Sequence, residues 1–450
     1  MHAAEESSSS DKEALERLYA VLAGDDSQDR ACDAIPERAC TSVPANFFLN
    51  LLNGVCTKLA EQLVSPGLTL PWLLTAIGVP ASMVGFLSPI KQVGALLPQL
   101  FVAARIRQLA RRKWVWLGAG VFQSFCLLLM IPAVLLLSDW AAGLTVLGLL
   151  TLFSIASGAG SVSFQDVMGK TIPKGRRGRL LANRAAFGGV LTLAAGLGLR
   201  FFLNEEGNAG HYILLLGTAA LLWMVAACLF AAIREVPGEQ QGGRNAIEEA
   251  GKGMTLVRQV NGYRKYLSAR AALTSVEVAM PLFVLHAYQR VSEGMSALAV
   301  FIVSVGLASI LSSPFWGKLS DQTARRVMIQ AGGMGVIAGF LALILGWLGP
   351  EQLSVYSYAP VFFLLGIAEA GARLGRKTYL VDAAPTEERP LYVAFANSAI
   401  GLVALVLGGL GILADLLTPA SALVAFIVLA FLGLLLSYVM PEADRMVDDR

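Results

Sequence analysis

The chain has 450 residues, 56% of them hydrophobic and only 15% charged, with formal net charge +3 and mean hydropathy +0.63. Soluble domains carry about 25% charged residues, so this composition excludes an ordinary soluble enzyme and indicates a lipid environment. The net charge by itself selects no partner, and no nucleic acid is expected.

Residues 1–44 are polar and acidic and form an expected cytoplasmic tail. They lack the basic region leading into an apolar core that marks a signal peptide. Ser10 stands three before Glu13, a capping-box spacing. Leu15, Leu18, Tyr19 and Leu22 follow at helical intervals, which predicts a short amphipathic helix.

Twelve apolar segments come next: 45–74, 79–104, 113–137, 140–164, 183–203, 211–233, 266–289, 295–317, 327–349, 354–378, 390–414 and 417–440. Seven charge-free runs, within 114–138, 140–165, 212–233, 294–317, 327–350, 391–414 and 416–440, each reach the roughly 20 residues a bilayer-spanning helix needs. The predicted fold is an all-α integral membrane protein with twelve transmembrane helices. Residues 45–234 form one six-helix bundle, 235–265 a cytoplasmic linker, 266–440 the second bundle and 441–450 a cytoplasmic tail. Within the linker, Ile247, Ala250, Met254 and Val257 predict an interfacial helix.

A duplication links the bundles. Gln108-Leu-Ala-Arg-Arg112 repeats as Gln322-Thr-Ala-Arg-Arg326, and Ala182-Asn183 as Ala396-Asn397, both at an offset of 214. Gly118 stands opposite Gly332 at the same offset. Such repeats are a mark of transporter folds. Lysine and arginine gather in the loops after even-numbered spans and nearly vanish from the alternate ones, so both termini are expected in the cytoplasm. The expected location is the cell (inner) membrane.

Span one carries a polar face: Asn46, Asn50, Asn53, Thr57 and Glu61, with Lys58 and Ser65 beside it. In lipid this face must meet protein or a water-filled cavity. Lys58 and Glu61 are three apart and able to pair, so the plain alternative is a self-neutralising ion pair. Lys91 and Gln92 lie midway along span two. An isolated lysine there costs about 2.5–3.5 kcal/mol on insertion, and Glu61 or Glu277 is its expected partner. Glu369 and Arg373 in span ten stand four apart and can pair as well. Asp166 and Asp382 sit near span ends, where solvated caps are the commoner role.

Pro66, Pro71 and Pro281 are expected to kink spans one and seven. Gly158, Gly160, Gly366, Gly371 and Gly375 are expected at close helix packing. Gly169-Lys-Thr171 imitates the end of a phosphate-binding loop, but Phe164 occupies the required glycine position. Cys32, Cys40, Cys56, Cys126 and Cys228 form no paired motif, and three scattered histidines offer no ligand set. No metal or cofactor is called for.

The link Gly317-Lys-Leu-Ser-Asp-Gln-Thr-Ala-Arg-Arg326, the six-plus-six spans, the cytoplasmic termini and the long central loop resemble the major facilitator superfamily over residues 45–440. Phe164–Pro173 with Arg176-Arg-Gly-Arg179 also looks like that family's link between spans four and five. The resemblance implies a gating loop of Gly317, Asp321, Arg325 and Arg326, in which Asp321 pairs with an arginine or a helix N-terminus. The earlier copy departs: Ala103 and Arg107 replace Gly317 and Asp321. It implies a secondary transporter, not an enzyme. Its partners would be a small organic solute, protons as candidate coupling ion, and the bilayer. Candidate cavity and coupling residues are Asn50, Asn53, Thr57, Lys58, Glu61, Lys91, Glu277, Glu369 and Arg373. The alternative is a non-transporting receptor or scaffold of the same fold.

Overall fold

A computed structural model describes residues 16–22, 41–106, 108–202, 209–237, 246–291, 294–349, 352–385 and 388–447. Within them the regular structure is helical throughout. This suits lipid, because a helix satisfies its backbone hydrogen bonds internally.

In the first half, the expected span one is α1 (Val43–Leu63) and α2 (Thr69–Ala76), broken at Pro66. Span two is α3 (Ala81–Gly85) and α4 (Leu87–Ile106). Then come α5 (Lys113–Leu136), α6 (Asp139–Thr171), α7 (Lys174–Phe202) and α8 (Ala209–Ala231). The linker holds α9 (Ala246–Gln259). The second half comprises α10 (Asn261–Val278), α11 (Met280–Tyr288), α12 (Gly294–Gln322), α13 (Ala324–Trp347), α14 (Val355–Ala383), α15 (Arg389–Gly408), α16 (Leu410–Leu416) and α17 (Pro419–Val439). Pro281 falls in the first turn of α11, where span seven breaks as expected.

Among the described residues ten helices are long and apolar enough to cross a membrane. The two expected spans outside that set, 45–74 and 79–104, are helical but interrupted. In α1, Asn46, Asn50, Asn53, Thr57, Lys58 and Glu61 also dilute hydropathy. Several helices overrun their apolar segments. α6 has 33 residues, α7 begins at Lys174, and α14 continues to Ala383.

The halves pack by the same scheme. α5 lies against α6 and α8, as α13 lies against α14 and α17. α1 packs on α8, as α10 packs on α17. Between halves, α4 meets α15 and α7 meets α12. Small residues bring these helices together. A Cβ on Gly158 would lie 2.7 Å from the Ala95 carbonyl, and one on Gly366 2.9 Å from Ala308 Cβ. Gly371 and Gly375 are equally closed, against Trp316 and Met328, whereas Gly160 leaves room.

A clasp repeats at the side carrying the chain ends. Lys113 Nζ donates to the carbonyls of Ala231 and Ile233, both at 2.7 Å. Glu235 accepts from the Arg112 and Lys113 amides, at 3.0 and 2.8 Å, at the start of α5. In the second half, Arg325 donates to the carbonyls of Tyr438 and Met440 and pairs with Glu442 at 2.8 Å. The two carbonyls and the acid of one clasp stand 207 positions from those of the other. Cations suit these positions because a helix C-terminus carries partial negative charge.

At the opposite side the halves close on each other. Asp415 accepts from the amides of Ala81 and Ser82, at 2.8 and 2.7 Å. A Cβ on Gly411 would lie 2.4 Å from the Ala81 carbonyl, and Trp72 packs edge-on to Tyr288 at 4.9 Å.

Helices also occur in the tail and the linker. Residues 16–22 are helical, with Tyr19 buried against Phe47 and Asn183 donating to the Leu22 carbonyl at 3.0 Å. The Ser10 and Glu13 capping box lies outside the described residues. The linker helix α9 sets Gly253 directly against Phe395 of α15.

Candidate transport site

The polar face of α1 divides between two tasks. Asn46 both donates to the Arg234 carbonyl and accepts from its amide, at 3.2 and 2.9 Å. Asn50 donates to the Asn46 carbonyl, and Asn53 to the Ala226 carbonyl, each at 2.9 Å. All three asparagines are fully buried. The expectation that Asn50 and Asn53 line a cavity is therefore corrected: they seat α1 on α8 and on itself. In a buried helix interface a polar side chain takes the nearest backbone carbonyl, since an unbonded amide would be costly.

Farther along α1, Thr57, Lys58 and Glu61 do line a cavity, of about 300 Å³. Lys58 and Glu61 do not form the ion pair of the alternative reading. Glu61 instead faces Lys91 of α4, with 3.9 Å between Oε1 and Nζ. Lys91 also sits over the Phe153 ring at 4.5 Å. Lys91 thus has Glu61 as its carboxylate, one of its two expected partners.

Glu277 takes a different cation. Its Oε1 lies 2.9 Å from Arg376 Nε, a charge contact without a well-aligned N–H, and its Oε2 accepts from Gln92 at 3.4 Å. The Gln92 bond joins α4 to α10 across the halves. Glu369 and Arg373 form the pair that their spacing allows, one helical turn apart. Arg373 keeps 49% of its side chain open, and Glu61 and Glu277 both act on it electrostatically. The guanidinium is thus open and has acids of both halves about it. Lys58 also acts on Glu369. The expected charges of spans one, two, seven and ten therefore converge.

Two cations belonging to this region escaped the sequence reading. Arg184 of α7 donates to the Asn50 carbonyl at 3.0 Å and lies over Phe164 at 4.4 Å. It fills space that Gly54 leaves open; a Cβ there would lie 2.1 Å from Arg184 Nε. The second is Arg376 of α14, the cation beside Glu277. Arg184 is the second residue of the expected span 183–203 and Arg376 the third from the end of 354–378, where cations commonly flank the hydrocarbon. Asp166, expected as a solvated cap, pairs with Arg112 and with Lys170 Nζ at 2.8 Å, and Lys170 reaches Glu235 at 3.2 Å.

The gating loop has a different pairing from the expected one. Arg325 turns to Glu442, not to Asp321, because the exposed C-terminal carbonyls of α17 hold its guanidinium. Asp321 is exposed and takes part in no ion pair among the described residues. Thr323 caps α13 by accepting from the Arg326 amide at 3.0 Å. Gly317 has no neighbour within 4 Å of a built Cβ.

Comparison with known proteins agrees with this architecture. Residues 51–358 and 266–448 match the family model described as Major Facilitator Superfamily. An uncharacterized protein of Mycobacterium tuberculosis is 22% identical over 379 residues, covering 82% of this chain and 71% of its own. The nucleoside transporter NupG, solved as a point mutant, superposes with TM-score 0.65 at 12% identity, covering 87% of this chain and 98% of that one. The xylose transporter XylE from E. coli, in an inward open conformation, gives TM-score 0.64 at 13% identity, covering 90% of this chain and 98% of that one.

Proposed function

Because the chain belongs to the Major Facilitator Superfamily, we propose that it is a proton-coupled secondary transporter of a small organic solute working by alternating access. The observation carrying this reading is the meeting of ionisable groups from both halves in one cleft: Glu61 and Lys91 from one, Glu277, Glu369 and Arg373 from the other. A solute held there touches both halves, so its binding can bias their relative tilt.

The basic loops support a cytoplasmic location for the side carrying the chain ends. The Asp415 contacts then close the outer side, and the cleft opens inward. In this state Asp321 is unpaired because its task is to hold the cytoplasmic side shut when the cleft faces outward.

Glu61 is the coupling carboxylate. It is 39% open and its nearest cation is 3.9 Å away, whereas Glu277 is 4% open and held by Arg376 and Gln92. A carboxylate with a loose partner and access to the cleft can exchange its proton as the cleft opens and closes.

The test uses liposomes containing the protein and an internal pH dye, challenged with sugars, nucleosides, amino acids and carboxylates. One of these should drive proton movement. Glu61→Gln should abolish proton-driven accumulation while retaining solute exchange. Accumulation at full rate in both Glu61→Gln and Glu277→Gln, with the proton gradient collapsed, removes proton coupling.

A further inference from the structure

The cavity beside Glu61 is lined by the first half alone. Its walls come from α1, α5, α6, α7 and α8, all of the first half. α5 and α8 contribute Gln123 and Trp223, which are 2% and 4% exposed. Gln123 Nε2 and Trp223 Nε1 are buried and have no hydrogen-bond partner among the described residues. Both residues line the same small cavity, and buried polar groups are nearly always satisfied. Both are N–H donors, so an occupant that satisfies them must supply acceptor atoms.

The charges agree. Lys58 and Arg184 are the cations of the wall and Glu61 its acid. Glu61 already faces Lys91, which lies outside the wall. The field left in the cavity is therefore positive. Trp116, Phe164 and Trp223 add aromatic faces to the wall, beside Thr57, Ser157 and Ser161. Trp116 stacks on Trp223 with 29° between planes, and Phe164 lies under Arg184. At about 300 Å³ the space stands at the small end of ligand cavities, room for one or two rings.

We infer that the first half by itself holds a binding pocket for a small planar organic monoanion, an aromatic carboxylate. The carboxylate lies toward Arg184 and Lys58 and accepts from Gln123 and Trp223, while the ring lies along Trp116 and Phe164. Charge-assisted hydrogen bonds to a carboxylate are the strong kind, and aromatic walls favour a flat apolar body. As a substrate pocket it rests on the transporter reading; as a binding pocket it does not.

The test is calorimetric titration of the full chain in lipid nanodiscs with benzoate, its uncharged counterpart benzamide, and benzylamine. Benzoate should bind at least tenfold tighter than either. Gln123→Leu and Trp223→Phe, which each delete one orphan N–H, should each weaken benzoate three- to tenfold. The unfolding midpoint of the empty Gln123→Leu variant should stay at or above that of the parent, because an unsatisfied donor has been removed, whereas Trp223→Phe should also lose buried packing. Absence of benzoate binding, equal binding of benzoate and benzamide, or unchanged benzoate affinity in both variants would mark the space as a packing void and overturn the proposal. Solute-driven proton flux in protein that ignores benzoate would remove the pocket and keep the transporter. Benzoate binding without flux of any solute would do the reverse.

Discussion

At the scale of single residues, neighbours on one helix face divide into holding and working groups. Asn53 is bound to the Ala226 carbonyl and fully buried, whereas Gly54 makes room for Arg184. Asn53→Ala should lower stability by about 1–3 kcal/mol, the range for a buried hydrogen bond whose partner is left unsatisfied. It should leave solute affinity nearly unchanged. Gly54→Ala should do the opposite. Its Cβ would collide with Arg184, forcing the guanidinium aside and weakening solute binding about tenfold with a smaller loss of stability. Thermal unfolding and titration of the two variants separate these outcomes; parallel effects would refute the division. The sequence made the polar face legible, since Asn46 to Glu61 recur at helical spacing. It did not tell which part meets another helix and which meets open space, because periodicity fixes direction and not the neighbour. Gln123 and Trp223 gave no charge signal at all. Only a lone amide within an apolar run marked the first.

At the scale of helices, hydropathy located spans and missed ends. A charge-free run reports the thickness of hydrocarbon crossed, while the helix continues as long as its backbone bonds can form. α7 starts nine residues before the expected 183, which places Arg184 ten residues, or about 15 Å, along the helix. The breaks at Pro66 and Pro281 were legible because proline removes a backbone donor. The Asp415 contact was not, since its partners are amides 333 and 334 positions away. Its effect should be measurable. Asp415→Ala removes the acceptor from the α3 amides, a change worth about 1 kcal/mol, or roughly fivefold in population. The state closed at this side should lose that much relative to the open one. Spin-label distances across this side in nanodiscs read the population; an unchanged distribution would show that glycine packing alone holds the closure.

At the scale of the whole molecule, the 214-residue offset disclosed the duplication, and the packing of α1, α5, α6 and α8 against that of α10, α13, α14 and α17 gives it form. Not every repeated residue keeps its surroundings. Gly332 is tight against Leu273 and Leu434, while Gly118 has open space. The clasp was invisible in sequence because its acids, Glu235 and Glu442, lie beyond the span ends, where acids say little about topology. Its second consequence concerns chain continuity. Glu235 fastens the last span of the first half to α5, and α9 rests on α15 of the second half. The peptide between 237 and 246 then joins two separately finished objects. Two polypeptides, 1–240 and 241–450, expressed together should assemble in the membrane and regain the activity of the uncut chain, as read by copurification through a tag on one fragment and by flux. Failure to copurify would show that the covalent link carries part of the assembly. Success would make complementation a way to alter one half while leaving the other as nature wrote it.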